Sequence, residues 1–211
     1  MIQYNTVAKE AHAEQIIEKS RFIAYIKPVE SREEAEAFIA SVRKEHKTAT
    51  HNVPAMVIGD QFQLQWASDD GEPQGTSGAP MVQMLVKEGI TNAAVVVTRY
   101  FGGIKLGTGG LVRAYTSSAR LALEAAGICQ VKEMAVLCFK MDYSFLSKVQ
   151  NLAQEGTFFI EDITYAEQIC VTINTELEDA EKTKETIANL TSGRAVLLEE
   201  KTDLTKKVIK K

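Results

Sequence analysis

From Arg99 to Arg120 the chain reads RYFGGIKLGTGGLVRAYTSSAR, with five glycines and four basic residues in twenty-two positions and no carboxylate. The whole chain carries a formal net charge of -4, so this cluster of cations is local. It follows an apolar β-branched run, Ala93-Ala-Val-Val-Val-Thr98, and leads into an alanine-rich segment with helical spacing, which puts the glycines in a strand-to-helix turn. Such a turn presents unpaired backbone N–H groups at the positive end of a helix, where phosphate or carboxylate is stabilised. A second reading needs no ligand: the glycines only permit positive φ or close backbone packing. A Walker loop is excluded, because Thr108 and Gly109 stand where its Lys-Ser/Thr would follow. A dinucleotide fingerprint fails at Val112.

Down the following helix, Leu111, Ala114, Ser118, Ala122 and Ala125 fall on one side, and Arg113, Thr116, Ser117, Arg120 and Glu124 on another. The glycine turn is expected to display Arg113, Ser117 and Lys105 to one concavity; the plainer alternative is a solvated polar stripe. The candidate anion or nucleic-acid site is therefore Arg99, Lys105, Gly107, Thr108, Gly109, Gly110, Arg113 and Ser117. Tyr100, Phe101 and Tyr115 are interleaved with it, and aromatics of this kind either stack on unpaired bases or pack in the core.

Upstream, DDGEPQGTSGAP (Asp69–Pro80) places Asp69, Asp70 and Glu72 within four positions. Three roles compete for these acids. They bind a divalent cation, act as a general acid or base, or cap a helix and pair with Arg99 and Arg113. Metal cages draw ligands from separated segments and no His or Cys lies within ten residues of this block, so capping and pairing rank first and no metal is assigned. His51 precedes a strand and is a further candidate for the same cleft, against the commoner structural role of a lone histidine.

These two blocks, with KSRFIAYI at Lys19–Ile26 and Thr50-His51-Asn52, closely resemble the signature of the IMPACT family in its bacterial YigZ/YvyE-like branch, over essentially the whole chain. Val53 stands where that pattern tends to carry cysteine. The resemblance implies an amino-terminal βαβ domain of the ribosomal-protein/RNase PH-like type over residues 1–130. Residues 134–205 would form a ferredoxin-like domain similar to the last domain of elongation factor G. Relatives of both folds bind RNA or the ribosome. Eukaryotic members of the family regulate translation by binding an activator of a starvation-responsive kinase, through an extra amino-terminal domain for which this chain is expected to lack room. Fold kinship alone is analogy.

The elements that must position these residues follow from periodicity. Strands are expected at Gln3–Val7 and Arg21–Lys27, then a helix to about His46 opened by a Ser31/Glu34 capping box. A hairpin of 53–58 and 62–67, a helix over 77–86, the strand Ala93–Thr98 and a long helix ending near Gly127 complete the first domain. Beyond it the order is βαββαβ: a strand over 135–143, a helix over 145–155 capped by Ser144, a hairpin of 158–165 and 168–173, a helix over 178–190 and a strand over 194–200. Lys201–Lys211, with five lysines and one acid, reads as a mobile tail with weak affinity for polyanions. The fold class is α+β.

Composition agrees with two compact soluble domains, since 211 residues at 45% hydrophobic content can fill real cores. No apolar run approaches the roughly 18 residues of a membrane span, and the amino terminus has no signal-peptide character, so a cytoplasmic location is expected. Cys129, Cys138 and Cys170 lie in apolar strand-like sequence and read as buried free thiols. Residues 1–133 hold 14 basic and 15 acidic side chains and residues 134–211 hold 10 and 13, so neither domain is broadly basic and strong sequence-blind DNA binding is not expected.

Two functions stand. The first is a cytoplasmic regulator of translation or stress response that binds RNA, the ribosome or a translation-related protein through the amino-terminal cleft, without a cofactor. The second is a metal-dependent phosphate-ester hydrolase or transferase using Asp69, Asp70 or Glu72 with phosphate on Gly107–Gly110. Nothing in the sequence pairs Ser77 or Ser117 with an activating base.

Overall fold

A computed structural model describes residues 2–210 of the chain. They divide into two units, Ile2–Val131 with Lys206–210, and Lys132–Thr205.

The amino-terminal unit is built on an antiparallel sheet of order β2-β3-β6-β4-β5, comprising Ala11–Ile17, Ser20–Pro28, Ala93–Tyr100, His51–Ile58 and Leu64–Ala67. The central strand β6 is apolar at every early position because both its faces are covered. Ala93, Val95 and Val97 pack towards α2 (Gly78–Lys87) and α3 (Gly107–Ala126), with Met81, Leu85, Leu111 and Ala114. Ala94 and Val96 pack with Phe38, Ile39 and Val42 of α1 (Arg32–Glu45). Ser31 caps α1 by accepting from the Glu34 amide at 3.2 Å, while the Glu34 carboxylate accepts from the Glu30 amide at 2.8 Å in place of the expected Ser31 partner. β1 (Ile2–Val7) pairs instead with β7 (Ile128–Met141).

In the carboxy-terminal unit β7 pairs with β9 (Ile169–Thr175), which pairs with β8 (Phe159–Tyr165), and β10 (Val196–Lys210) pairs with β7. The strands run β10-β7-β9-β8, with α4 (Leu146–Gln154) after β7 and α5 (Ala180–Thr191) after β9. Val149 of α4 and Ile187 of α5 join Leu137, Phe139, Met141, Ile169, Val171 and Ile173 in the core.

Several local expectations are corrected. β2 was not foreseen, because AHAEQII alternates half-buried with exposed positions and offers only a weak apolar signal. A 3₁₀ turn at Tyr143–Phe145 precedes α4, so Ser144 lies within the turn and makes no cap bond. Ala125 is exposed, and the buried stripe of α3 runs through Tyr115, Ala119, Leu123 and Ala126 as well. Only Cys129 is buried; Cys138 and Cys170 are half-buried free thiols. The last strand continues through the lysine-rich segment to Lys210, where a mobile tail was expected.

Candidate functional site

The acidic loop between β5 and α2 does three different jobs with its three carboxylates. Asp69 reaches across the loop to the start of α2. Its Oδ1 accepts from the Ser77 amide (3.2 Å), the Ser77 hydroxyl (2.7 Å) and the Gly78 amide (2.9 Å), and its Oδ2 from the Gly75 amide (2.7 Å). Burial would raise its pKa, but these four donors outweigh burial and hold the carboxyl below its ordinary value. Asp70 adopts positive φ (49°) and accepts from the Asn52 amide at 2.6 Å and from Arg43 Nη2 at 3.2 Å.

The Asp70 carbonyl also takes a bond from His51 Nδ1 at 2.7 Å. A carbonyl only accepts, so Nδ1 carries the proton and Nε2 faces the Glu72 carboxylate, 3.8 Å from Oε1. Gly71 has φ of 88°, a left-handed conformation that favours glycine, and a Cβ there would only touch the His51 ring at 3.5 Å.

Glu72 turns inward. Its side chain is 4% exposed, and Oε1 accepts from Arg99 Nη1 at 2.6 Å and from the Tyr115 hydroxyl at 2.8 Å. Arg99, 6% exposed, also donates from Nη2 to Ser20 Oγ at 3.3 Å, and its guanidinium lies 5.4 Å from the ring centres of Phe22 and Phe101. Its Nε is buried without a partner. Burial, reinforced by the neighbouring Glu72 charge, raises the Tyr115 phenol, so it stays protonated and donates.

The amino terminus of α3 is left bare. Leu106 stands at the N-cap position without a side-chain bond, and the first turn holds no acid. Gly107 has φ of 70° and open space where a side chain would project, so the turn is not packed shut. Together with Thr50, His51, Glu72, Pro73, Arg99, Phe101, Lys105, Leu106, Thr108 and Leu111 it encloses a cleft of about 440 Å³.

Of the residues singled out from sequence, His51, Glu72, Arg99, Lys105, Gly107 and Thr108 meet at this cleft. Asp69 is spent on the start of α2 and Asp70 on Asn52 of β4 and Arg43 of α1, and Gly109 and Gly110 lie within the first turn of α3. Two placements are corrected. Ser117 faces β2, where its hydroxyl accepts from Gln15 Nε2 at 2.8 Å, and Arg113 is exposed outside the cleft lining, because the turn of α3 carries both away from its amino-terminal end. Arg99 is neutralised by Glu72, leaving Lys105 as the lining cation without a carboxylate partner among the described residues. Sequence reasoning missed the role of Ser20, which lies in KSRFIAYI, a segment that carried only family likeness, and left Tyr115 undecided between base stacking and core.

Comparison with known proteins then places the chain. Residues 18–123 match the Impact N-terminal domain, and residues 139–194 match a domain of unknown function, DUF1949. The chain is 40% identical over 196 residues to IMPACT family member YvyE of Bacillus subtilis (strain 168), covering 93% of this chain and 90% of that one. It is 41% identical over 138 residues to IMPACT family member YigZ of Escherichia coli (strain K12), covering 64% and 68%. Protein IMPACT of Mus musculus is 34% identical over 103 residues, covering 46% of this chain and 32% of the mouse protein. Among solved structures, a crystal structure described as a hypothetical protein aligns over 94% of this chain and 97% of its own at 32% identity, with a TM-score of 0.59. On two-domain coverage and on identity extending over 90% of the length of YvyE, the chain belongs to the IMPACT family.

Proposed function

We propose that this protein is a cytoplasmic regulator of translation that engages RNA on the ribosome through the cleft at the start of α3. The observation that carries this reading is the uncapped helix terminus itself: orphan amides open to solvent beside Lys105 and Thr108, with no acid in the first turn. Phe101, 46% exposed at the rim and backed by the Arg99 guanidinium, offers a face on which an unpaired base can stack. The link to translation comes from family membership, since eukaryotic members regulate translation. The strand order β10-β7-β9-β8, alternating with two helices, supports the ferredoxin-like reading of the second domain. No described helix is long and apolar enough to cross a membrane.

The geometry gives the hydrolase reading little support. Asp69 already accepts from amides at the start of α2 and Asp70 from the Asn52 amide of β4, and Glu72 is held by Arg99 and Tyr115.

Co-sedimentation with ribosomes and titration with single-stranded RNA test the proposal. Lys105→Ala and Phe101→Ala are each expected to weaken binding about 3- to 30-fold, with an affinity that falls as salt rises. Binding of wild-type strength in the double variant would refute the cleft as the contact surface, and capture of a protein in place of RNA would redirect the reading to a protein partner.

A further inference from the structure

β10 is an edge strand of unusual length and exposure. Among the described residues it pairs with β7 alone, so its other side has no partner strand along Val196–Lys210; the Leu204 amide donates to Oδ1 of the adjacent Asp203 at 2.8 Å, a local bond between neighbouring residues. Every residue from 196 to 209 except Thr205 is exposed, including Leu197 (38%), Leu198 (54%), Val208 (49%) and Ile209 (48%). An edge of this kind invites pairing with another strand unless charge or shape prevents it.

The sequence of β10 shows what that strand is. In antiparallel self-pairing about a two-fold axis, residue i of one copy faces j of the other and j faces i. Centring the axis on Asp203 sets Glu199 opposite Lys207 and Glu200 opposite Lys206. The same register sets Leu197 opposite Ile209 and Leu198 opposite Val208. On both faces of the ribbon these four pairs match acid to base and apolar to apolar, each match occurring twice by symmetry; Lys201 falls opposite Thr205 and Thr202 opposite Leu204, and one mismatch, Val196 with Lys210, stands at the ends of the ribbon. Directly opposed pairs are the unit of sheet stabilisation, and like charges opposed destabilise it.

Neighbouring registers fail. Moving the sum of paired positions down by one sets Leu198 against Lys207 and Lys201 against Leu204; moving it up by one sets Lys201 against Lys206 and Glu199 against Val208. Shifts of two set Leu198 against Lys206, or Lys201 against Lys207. The favoured register has one opposed like pair, Asp203 with itself, and Lys201 lies 3.7 Å from that carboxylate within each copy. Glu200 is bonded to Lys184 at 3.0 Å and Lys206 to Glu30 at 3.4 Å, but all four side chains keep solvent access and can share their partners.

We propose that β10 pairs with β10 of a second copy of this chain, antiparallel and in register about Asp203, to give a homodimer with one sheet continuous across the two molecules.

Sedimentation velocity of the full chain tests this with a charge exchange. Wild type is expected to sediment at twice the 23.3 kDa chain mass at tens of micromolar. The double variants E199K/E200K and K206E/K207E should each be monomeric, since every Glu–Lys match becomes Lys–Lys or Glu–Glu. Mixed in equal amounts they should form a heterodimer in which all those matches are restored. That recovery also shows that both variants fold.

A cysteine reads the register: Asp203→Cys should form an interchain disulfide under mild oxidation, because directly opposed positions lie within bridging distance, whereas Lys201→Cys should not exceed wild type. A wild-type monomer at these concentrations would overturn the proposal. So would a dimer that survives both charge reversals, or cross-linking at 201 equal to that at 203.

Discussion

Arg99 Nη1 donates to Glu72 Oε1 at 2.6 Å with both side chains more than nine-tenths buried, so an ion pair closes the floor of the cleft. Removing one member leaves the other charged and desolvated, which costs more than the pair contributes. Arg99→Met or Glu72→Gln is expected to destabilise the protein by about 3–5 kcal/mol, and the double variant by clearly less than the sum. Urea unfolding of the four proteins in a double-mutant cycle measures the coupling. Strict additivity would show that the pair does not act as a unit.

Asp69 supplies the cap that Ser77 does not, so Asp69→Ala is expected to cost about 2 kcal/mol, with Asp69→Asn intermediate. Its native pKa is lowered, so the sign follows: the contribution is complete above the unfolded-state value of about 3.9 and disappears as pH falls through the lower native value. The stability gap between wild type and Asp69→Ala, measured by thermal unfolding, should be constant from pH 7 to about 5 and narrow below about 4.

Gly102 and Gly109 separate two uses of glycine in one loop. A Cβ on Gly102 would lie 2.0 Å from the Lys19 carbonyl carbon and oxygen, backbone atoms that cannot step aside. A Cβ on Gly109 meets only Arg113 Nη1 at 3.7 Å, within a helix. Gly102→Ala should destabilise by about 2 kcal/mol or more and Gly109→Ala should stabilise by up to about 1 kcal/mol. Differential scanning calorimetry distinguishes the two, and equal effects would mean the loop departs from this conformation.

The bare start of α3 predicts a trade between stability and binding. Thr108→Glu places an acid in the first turn and should stabilise the protein by about 0.3–1 kcal/mol through the helix dipole. The same carboxylate should repel anions from the cleft. Inorganic phosphate is expected to shift the amide resonances of Gly107 and Thr108 in wild type and to leave them unmoved in Thr108→Glu. Equal shifts in the two proteins would place the anion elsewhere.

Much of this was legible in the residues. The unbroken apolar run of β6 required a strand covered on both faces, and the alternation Ala93/Val95/Val97 against Ala94/Val96 divides between two cores. The glycine spacing after Tyr100 required a turn, and the absence of acid from Arg99 to Arg120 announced a helix start with no anion of its own. Local sequence could specify these features because hydrophobic period and backbone freedom are properties of neighbours in the chain.

Which charge meets which was decided only when distant segments folded together. Arg99, Glu72, Tyr115 and Ser20 converge from β6, the acidic loop, α3 and β3, and that convergence turned the most conspicuous cation of the loop into a neutralised structural group. Arg113 and Ser117 were sent elsewhere by the pitch of α3, and β10 became a free edge because the order of strands left β7 as its sole described neighbour. Periodicity reports which face of an element is buried; it carries no information about the partner across the sheet, and electrostatic pairing depends on that partner.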